Sequence, residues 1–186
     1  MLDVQKIDKT WTLFLDRDGV INEEPIKDDY ILRWEDFRFA PGVLNAIKTF
    51  NGVFGTIVIA TNQRCIGKHL LTIEGLHFIH NNMMKAINEA GGRIDKIYFA
   101  PDLDSDAINR KPRTGMAMQA KADFPQIDFT KSIMVGNRVS DMEFGHNAGM
   151  YSVFVATTDP ETPFPHPSID LRYNTLLEFA KDLTKL

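Results

Sequence analysis

Cysteine is all but absent from this chain of 186 residues, with Cys65 as its sole representative. No internal disulfide can form, and no Cys-x-x-Cys pattern exists to bind zinc or carry redox chemistry. Long hydrophobic runs are missing as well. The most apolar stretch, around Val53 to Ala60, is far shorter than the roughly 20 residues that cross a bilayer. Met1 to Lys9 carries Asp3, Lys6, Asp8 and Lys9 in place of a signal-peptide core. Lysine and arginine are scattered without a basic run and the net charge is −4, which argues against a nucleic-acid-binding surface. The expectation is a soluble, unexported chain in a reducing cytoplasm, with neither membrane nor nucleic acid as partner. Any anionic substrate must be held by a local pocket and a metal. At 44% hydrophobic residues, the length suits one domain over 1–186 and is too short for two ordinary ones.

What is present is the run Thr12-Leu13-Phe14-Leu15, which ends abruptly in Asp16, Arg17, Asp18 and Gly19. Two carboxylates one residue apart repel each other unless a divalent cation neutralises them or one stays protonated. Chemistry has a use for both states. A metal-bound carboxylate can attack phosphorus, while its neighbour gives a proton to the leaving oxygen and later takes one from water. The bland alternative is a strand followed by an Asp-Gly turn.

Short apolar runs of strand type recur at Thr10–Leu15, Val53–Ala60, Lys96–Ala100, Ser132–Val135 and Tyr151–Ala156. Helical patterns lie between them. Pro41 to Lys48 opens with proline and continues Val43, Ile47 and Phe50 at helical spacing. Thr72 to Ala90 puts Leu76, Ile79, Met83 and Ile87 on one face and closes at Gly91-Gly92. Thr114–Ala122, Ser140–Ala148 and Asn174–Leu183 complete the set. Strands alternating with helices imply right-handed crossovers and an α/β parallel sheet covered on both faces.

In such sheets ligands sit at the carboxyl ends of the strands, so the Asp16 reading requires polar groups at the other strand ends. The second strand ends Ala60-Thr61-Asn62-Gln63, where hydroxyl and amides can donate to phosphoryl oxygens. The third leads to Asn109-Arg110-Lys111-Pro112. The fourth ends Val135-Gly136-Asn137-Arg138-Val139-Ser140-Asp141, with a glycine for close approach and another carboxylate for metal.

This order of strand ends resembles the four motifs of the haloacid dehalogenase superfamily. More narrowly, Asp16 to Asn22, Tyr30, Phe37 to Gly42, Ala60 to Gln63, Ile97-Tyr98, Arg110-Lys111-Pro112 and Gly115-Met116 resemble the branch of histidinol phosphatases and D-glycero-D-manno-heptose 1,7-bisphosphate phosphatases. The resemblance runs from about Trp11 to Ala156. It implies a three-layer Rossmann-like fold without a large cap domain, and Mg2+-dependent phosphatase chemistry on a small phosphorylated metabolite, a heptose bisphosphate first among the candidates. Carried over, Asp16 is nucleophile and magnesium ligand, while Asp18 is general acid and base and touches the metal by its backbone carbonyl. Thr61 and Lys111 hold the phosphoryl group. Asn22, Asn62, Gln63, Arg64 and Arg110 contact substrate, and Asn137 and Asp141 complete the metal site. Without a cap, the substrate covers the chemistry itself or is partly enclosed by the loop from Glu23 to Phe39.

The chain departs from that branch at two places. Positions that form a zinc loop there read Ala100, Asp102, Ala107 and Asn109 here, too few donors for structural zinc, so no zinc is expected. The fourth motif reads Gly136-Asn137 where Gly-Asp is usual. Asparagine still offers magnesium a neutral oxygen, with weaker binding as the expected cost. Histidinol phosphate or another small metabolite stays open as substrate, as does a weakened homologue that binds a phosphorylated ligand without turnover. Cys65, the His77/His80 pair and Met83, Met84, Met116, Met118, Met134 and Met142 read as core or surface residues. Thr157 to Pro167, with its four prolines, reads as a surface connector.

Overall fold

The computed structural model describes residues 2–25 and 30–184. Residues 26–29, part of the loop expected to border the substrate, lie outside them. In chain order the elements are β1 (Thr12–Leu15), α1 (Val43–Val53), β2 (Thr56–Asn62), α2 (Arg64–Gly67), α3 (Ile73–Glu89), β3 (Lys96–Ala100), α4 (Gly115–Asp123), β4 (Ser132–Gly136), α5 (Val139–Ala148), β5 (Tyr151–Val155), β6 (Leu171–Tyr173) and α6 (Leu176–Asp182). The sheet has the order β3-β2-β1-β4-β5-β6, and every neighbouring pair is parallel. Among the described residues no helix is long and apolar enough to cross a membrane.

β1 and β4 are buried along their whole length, as expected of parallel strands covered on both faces. Alternation then assigns the layers. Leu13, Leu15, Ile57, Ile59, Ile133 and Val135 pack with Val43, Ile47 and Phe50 of α1, Ile79 and Met83 of α3, and Phe179 of α6. Phe14, Val58, Ala60 and Met134 point the other way, against Met116 and Ala120 of α4 and Met142 and Phe144 of α5. This is the three-layer α/β arrangement expected.

The sequence reading missed β6, and it placed Val53 at the start of a strand where that residue ends α1. Met118, read as core filler, is half-exposed, because α4 packs through Met116, Ala117 and Ala120 and leaves the intervening side chain to solvent. Since all strands run one way, their carboxyl ends share one edge. That edge gathers Asp16, Asn62, the loop from Pro101 to Arg113, Asn137 and Thr157.

Candidate active site

Asp16 extends β1 by one step, its N–H donating to the Val135 carbonyl of β4 at 2.9 Å, so its side chain is placed by the sheet and not by a flexible turn. Gly19 then turns the chain with φ +79°. A Cβ there would lie 2.1 Å from Asn137 Nδ2, so the position admits only glycine. Gly136 plays the same part after β4, where a Cβ would lie 2.2 Å from Asp141 Cβ.

The centre of the site is Lys111. Its ammonium lies 2.8 Å from Asp16 Oδ1 and 2.7 Å from Asp141 Oδ1, and all three side chains are buried. Asn62 aims it from below. The Asn62 Oδ1 accepts from the Lys111 N–H at 3.0 Å, and its Nδ2 donates to the Lys111 carbonyl at 3.3 Å. Burial works against the Lys111 charge, but Asp141 and Asp16 together raise its pKa above the ordinary value and keep it an ammonium. Burial is also what pushes the Asp16 carboxyl up, to about 7. Lys111 pulls it down, while the Asp141 and Asp18 charges add to the rise.

Asp18 sits in a cage of donors. Arg17 Nη2 lies 2.8 Å from Oδ1 and 3.0 Å from Oδ2, Asn22 Nδ2 donates to Oδ1 at 3.0 Å, and Gln63 Nε2 donates to Oδ2 at 3.0 Å. Burial alone would raise this carboxyl, yet the Arg17 charge and those hydrogen bonds outweigh it and hold the pKa below the usual carboxylate value. The repulsion expected between Asp16 and Asp18 is thus relieved by two buried cations, one for each carboxylate. Three carboxylates, Asp16, Asp18 and Asp141, face Lys111 and Arg17. The buried cluster is one positive charge short before any phosphate arrives.

Arg17 is itself 1% exposed, and its Nη1 lies 3.1 Å from Nε2 of His80 on α3. Burial, followed by the Arg17 charge, drives the His80 pKa down to about 3, with Asp18 pulling it up and His77 adding a smaller push down. The ring is therefore a neutral acceptor. In the unfolded chain it takes a proton near pH 6.5, while the folded chain refuses one until about pH 3, so His80 contributes stability that is lost as pH falls below 6.5. Between pH 7.5 and pH 5 this amounts to about 2 kcal/mol. In urea denaturation, His80→Gln, which keeps an acceptor for Arg17, is expected to lose about that much less on the same acidification. An equal loss in parent and variant sinks the assignment.

Around this floor opens a pocket of about 330 Å³ lined by Asp16, Asp18, Thr61, Asn62, Lys111 and Asp141, with Glu24, Tyr30, Arg64, Arg110, Arg138 and Ser140 toward its mouth. Thr61 Oγ1 accepts from Gln63 Nε2 at 3.0 Å, which leaves the hydroxyl proton to donate inward. Arg64 and Arg110 stand close enough that burial and the Arg64 charge together lower the Arg110 pKa. Two crowded guanidinium groups at a pocket mouth are a place for an anion.

Three expected residues spend their polar groups on protein partners. Asn22 and Gln63, read as substrate contacts, are buried and absent from the pocket wall. They spend their amides on Asp18 because the turn after β1 folds back onto it. Asp141, read as a metal ligand, gives Oδ1 to Lys111, and its Oδ2 accepts from the N–H groups of Asn137 and Arg138 at 3.2 and 3.0 Å, capping the first turn of α5. Asn137 is fully buried and its Oδ1 has no partner. A buried amide oxygen left unpaired is costly, and it fits a hard cation better than any protein donor within reach. The second oxygen of Asp16 receives no bond from the described residues.

The segment after β5 is more than a connector. Thr157 Oγ1 donates to the Gly19 carbonyl, Thr158 bonds Asn137 and Glu24, and Asp159 pairs with Arg138, so it ties down the Asn137 side of the pocket. Glu24, Arg138, Thr158 and Arg17 have no sequence signal of their own, since their partners lie up to 134 residues away.

The comparisons with known proteins agree with this geometry. A family model described as HAD-hydrolase-like matches residues 108–163. The D-glycero-D-manno-heptose-1,7-bisphosphate 7-phosphatase of Thermosynechococcus vestitus is 34% identical over 157 residues, 78% of each chain. The D-glycero-alpha-D-manno-heptose-1,7-bisphosphate 7-phosphatase of Mycobacterium tuberculosis is 32% identical over 171 residues, covering 91% of this chain and 90% of that one. Among solved structures, a D,D-heptose 1,7-bisphosphate phosphatase from B. bronchiseptica, complexed with magnesium and phosphate, superposes with a TM-score of 0.83 at 26% identity, covering 93% and 97% of the two chains. With β1, the lysine and the fourth-strand loop arranged as described, the chain belongs to the haloacid dehalogenase-like hydrolases, in the family of the 1,7-bisphosphate 7-phosphatases, and is a phosphatase.

Proposed function

We propose that the chain hydrolyses a phosphomonoester of a sugar bisphosphate, D-glycero-D-manno-heptose 1,7-bisphosphate being the best fit, through a phosphoenzyme on Asp16. The observation that carries this reading is the placement of Lys111 between Asp16 and Asp141 in a pocket that Arg64 and Arg110 also line. One phosphoryl group would sit on Thr61 and Lys111, and the second on the paired guanidinium groups.

In the first step an Asp16 oxygen attacks phosphorus and the bond to the sugar oxygen breaks. The leaving alkoxide takes a proton from Asp18. The donor cage favours ionised Asp18, and an incoming phosphate dianion raises its proton affinity by charge repulsion, so the proton arrives with substrate. In the second step Asp18 takes a proton from water, which attacks phosphorus and frees the Asp16 carboxylate and inorganic phosphate. Thr61 and Lys111 stabilise the charge spread over the equatorial oxygens.

Magnesium fits the donors present: Asp16, the Asp18 carbonyl and the unpaired Asn137 Oδ1 would hold it. When bound it would supply two positive charges where the cluster is one short, leaving a net charge of one for the phosphoryl group.

The test is phosphate release from both anomers of the heptose bisphosphate, from histidinol phosphate and from simple sugar monophosphates, with magnesium and with chelator. Arg110→Ala is expected to lower kcat/KM for the bisphosphate by roughly 10- to 100-fold, the worth of a charge-assisted contact, and to leave a monophosphate nearly unchanged. Equal effects on both substrate classes would remove Arg110 from the second phosphate. Preference for histidinol phosphate would replace the heptose assignment.

A further inference from the structure

The Asn137 amide can turn either its oxygen or its NH2 away from Glu24 and Thr158, and only the oxygen serves a cation. The family position usually carries a carboxylate, whose two ends are alike and need no orienting. Here the ends differ. We propose that Glu24 and Thr158 are positioning residues that lock the Asn137 amide with Oδ1 toward the cation, an inference that rests on the magnesium-dependent reading above.

The hydrogen-bond inventory closes around this orientation. Asn137 Nδ2 carries two hydrogens, and two acceptors meet it: Glu24 Oε2 at 2.7 Å and Thr158 Oγ1 at 2.6 Å. The Thr158 hydroxyl in turn donates its one proton to Glu24 Oε2, so it has no donor left to offer Asn137. Both neighbours of the amide are acceptors, and the NH2 must face them. Reversing the amide would set Oδ1 against a carboxylate and bury two N–H groups without partners. Oδ1 is then the one polar side-chain atom of Asn137 without a bond from the described residues.

Glu24 is fixed in its turn. Arg138 Nη2 lies 2.6 Å from Glu24 Oε1, and its Nη1 lies 2.7 Å from Asp159 Oδ2. The segment after β5 and the loop after β1 are thereby joined across the amide. Glu24 and Asn137 also match in charge. An aspartate at 137 would put a second carboxylate against Glu24, so the asparagine is the residue this neighbour accommodates, and not only a ligand weakened.

The experiment titrates magnesium alone into the full chain by calorimetry, without substrate, for Glu24→Ala and Thr158→Val in the parent and in an Asn137→Asp background. In the parent each substitution is expected to weaken magnesium binding about tenfold, as loss of a ligand-orienting partner does. In the Asn137→Asp background neither should weaken it more than about twofold, because a carboxylate needs no orienting. Thr158→Val keeps the side-chain volume, so a folding defect in Glu24→Ala leaves the test intact. Equal weakening in both backgrounds would make Glu24 a direct ligand or a structural prop and overturn the proposal, as would unchanged affinity in the parent. Failure of the phosphatase reading shows separately, as parent protein that binds magnesium in this pattern but releases no phosphate.

Discussion

Replacing Asp16 by asparagine is expected to cut phosphate release by roughly four or more orders of magnitude while leaving a folded protein. The amide has nearly the carboxylate's shape, but its oxygen is too weak a nucleophile to form the phosphoenzyme, and losing a nucleophile costs nearly the whole of its catalytic unit. The fold should not suffer. Asp16 is a buried carboxyl whose pKa is pushed to about 7, chiefly by burial, so ionising it above that pH costs folding free energy. The sign follows from linkage: a carboxyl raised in the folded state contributes stability at low pH that is lost as pH rises through the folded value. The variant escapes this loss, so without magnesium its Tm at pH 8 should equal or exceed the parent's. Thermal melts and phosphate release on the same preparation check both halves. Turnover near the parent's rate would sink the Asp16 mechanism, and a large drop in Tm would show that the carboxylate is a structural partner of Lys111 first.

The strand ends were legible because each rests on local pattern. A short apolar run followed by Asp16, Thr61 or Gly136 needs no knowledge of the rest of the chain, and parallel topology brings such ends together by rule. The helix faces of α1 and α3 were readable for the same reason. β6 was not, since Leu171-Arg172-Tyr173 is a half-buried edge strand of three residues with no apolar run. Val53 was misplaced because Asn51-Gly52 looks like a break, yet Gly52 sits in the last turn of α1. What stayed hidden in the site is its electrostatic balance. Arg17 reads as a spacer between two aspartates, and only the approach of His80 and the burial of both reveal it as the counter-charge of Asp18. Glu24 and Asn137 are 113 residues apart in sequence, a pairing that no local pattern encodes.

Lys111→Met is expected to be the most destabilising change in the site as well as an inactive one. The methionine fills much of the same volume, so the loss is electrostatic. Asp16 and Asp141 are left facing each other in a buried place with their shared cation gone. Removing one partner of a buried ion pair costs about 3–5 kcal/mol, or roughly 6–20 °C in Tm for a chain of this size. Phosphate release should fall by about a thousandfold or more, since in the proposed mechanism the lysine also holds the transferring group. A cavity or a misfolded loop would give the same two losses, but pH separates the causes. In the parent, Lys111 is held as an ammonium by both carboxylates, so its charge does not change between pH 8 and pH 5. Asp16, near 7, takes up a proton over that range in the parent as well, but without the Lys111 charge the variant's Asp16 takes it at higher pH, so the variant's folded state gains more on acidification and regains part of what it lost. The stability gap between parent and variant should therefore narrow from pH 8 to pH 5 in denaturant titrations. A gap that stays constant would mean that packing, and not the charge balance between Asp16, Lys111 and Asp141, is what the lysine supplies to the fold.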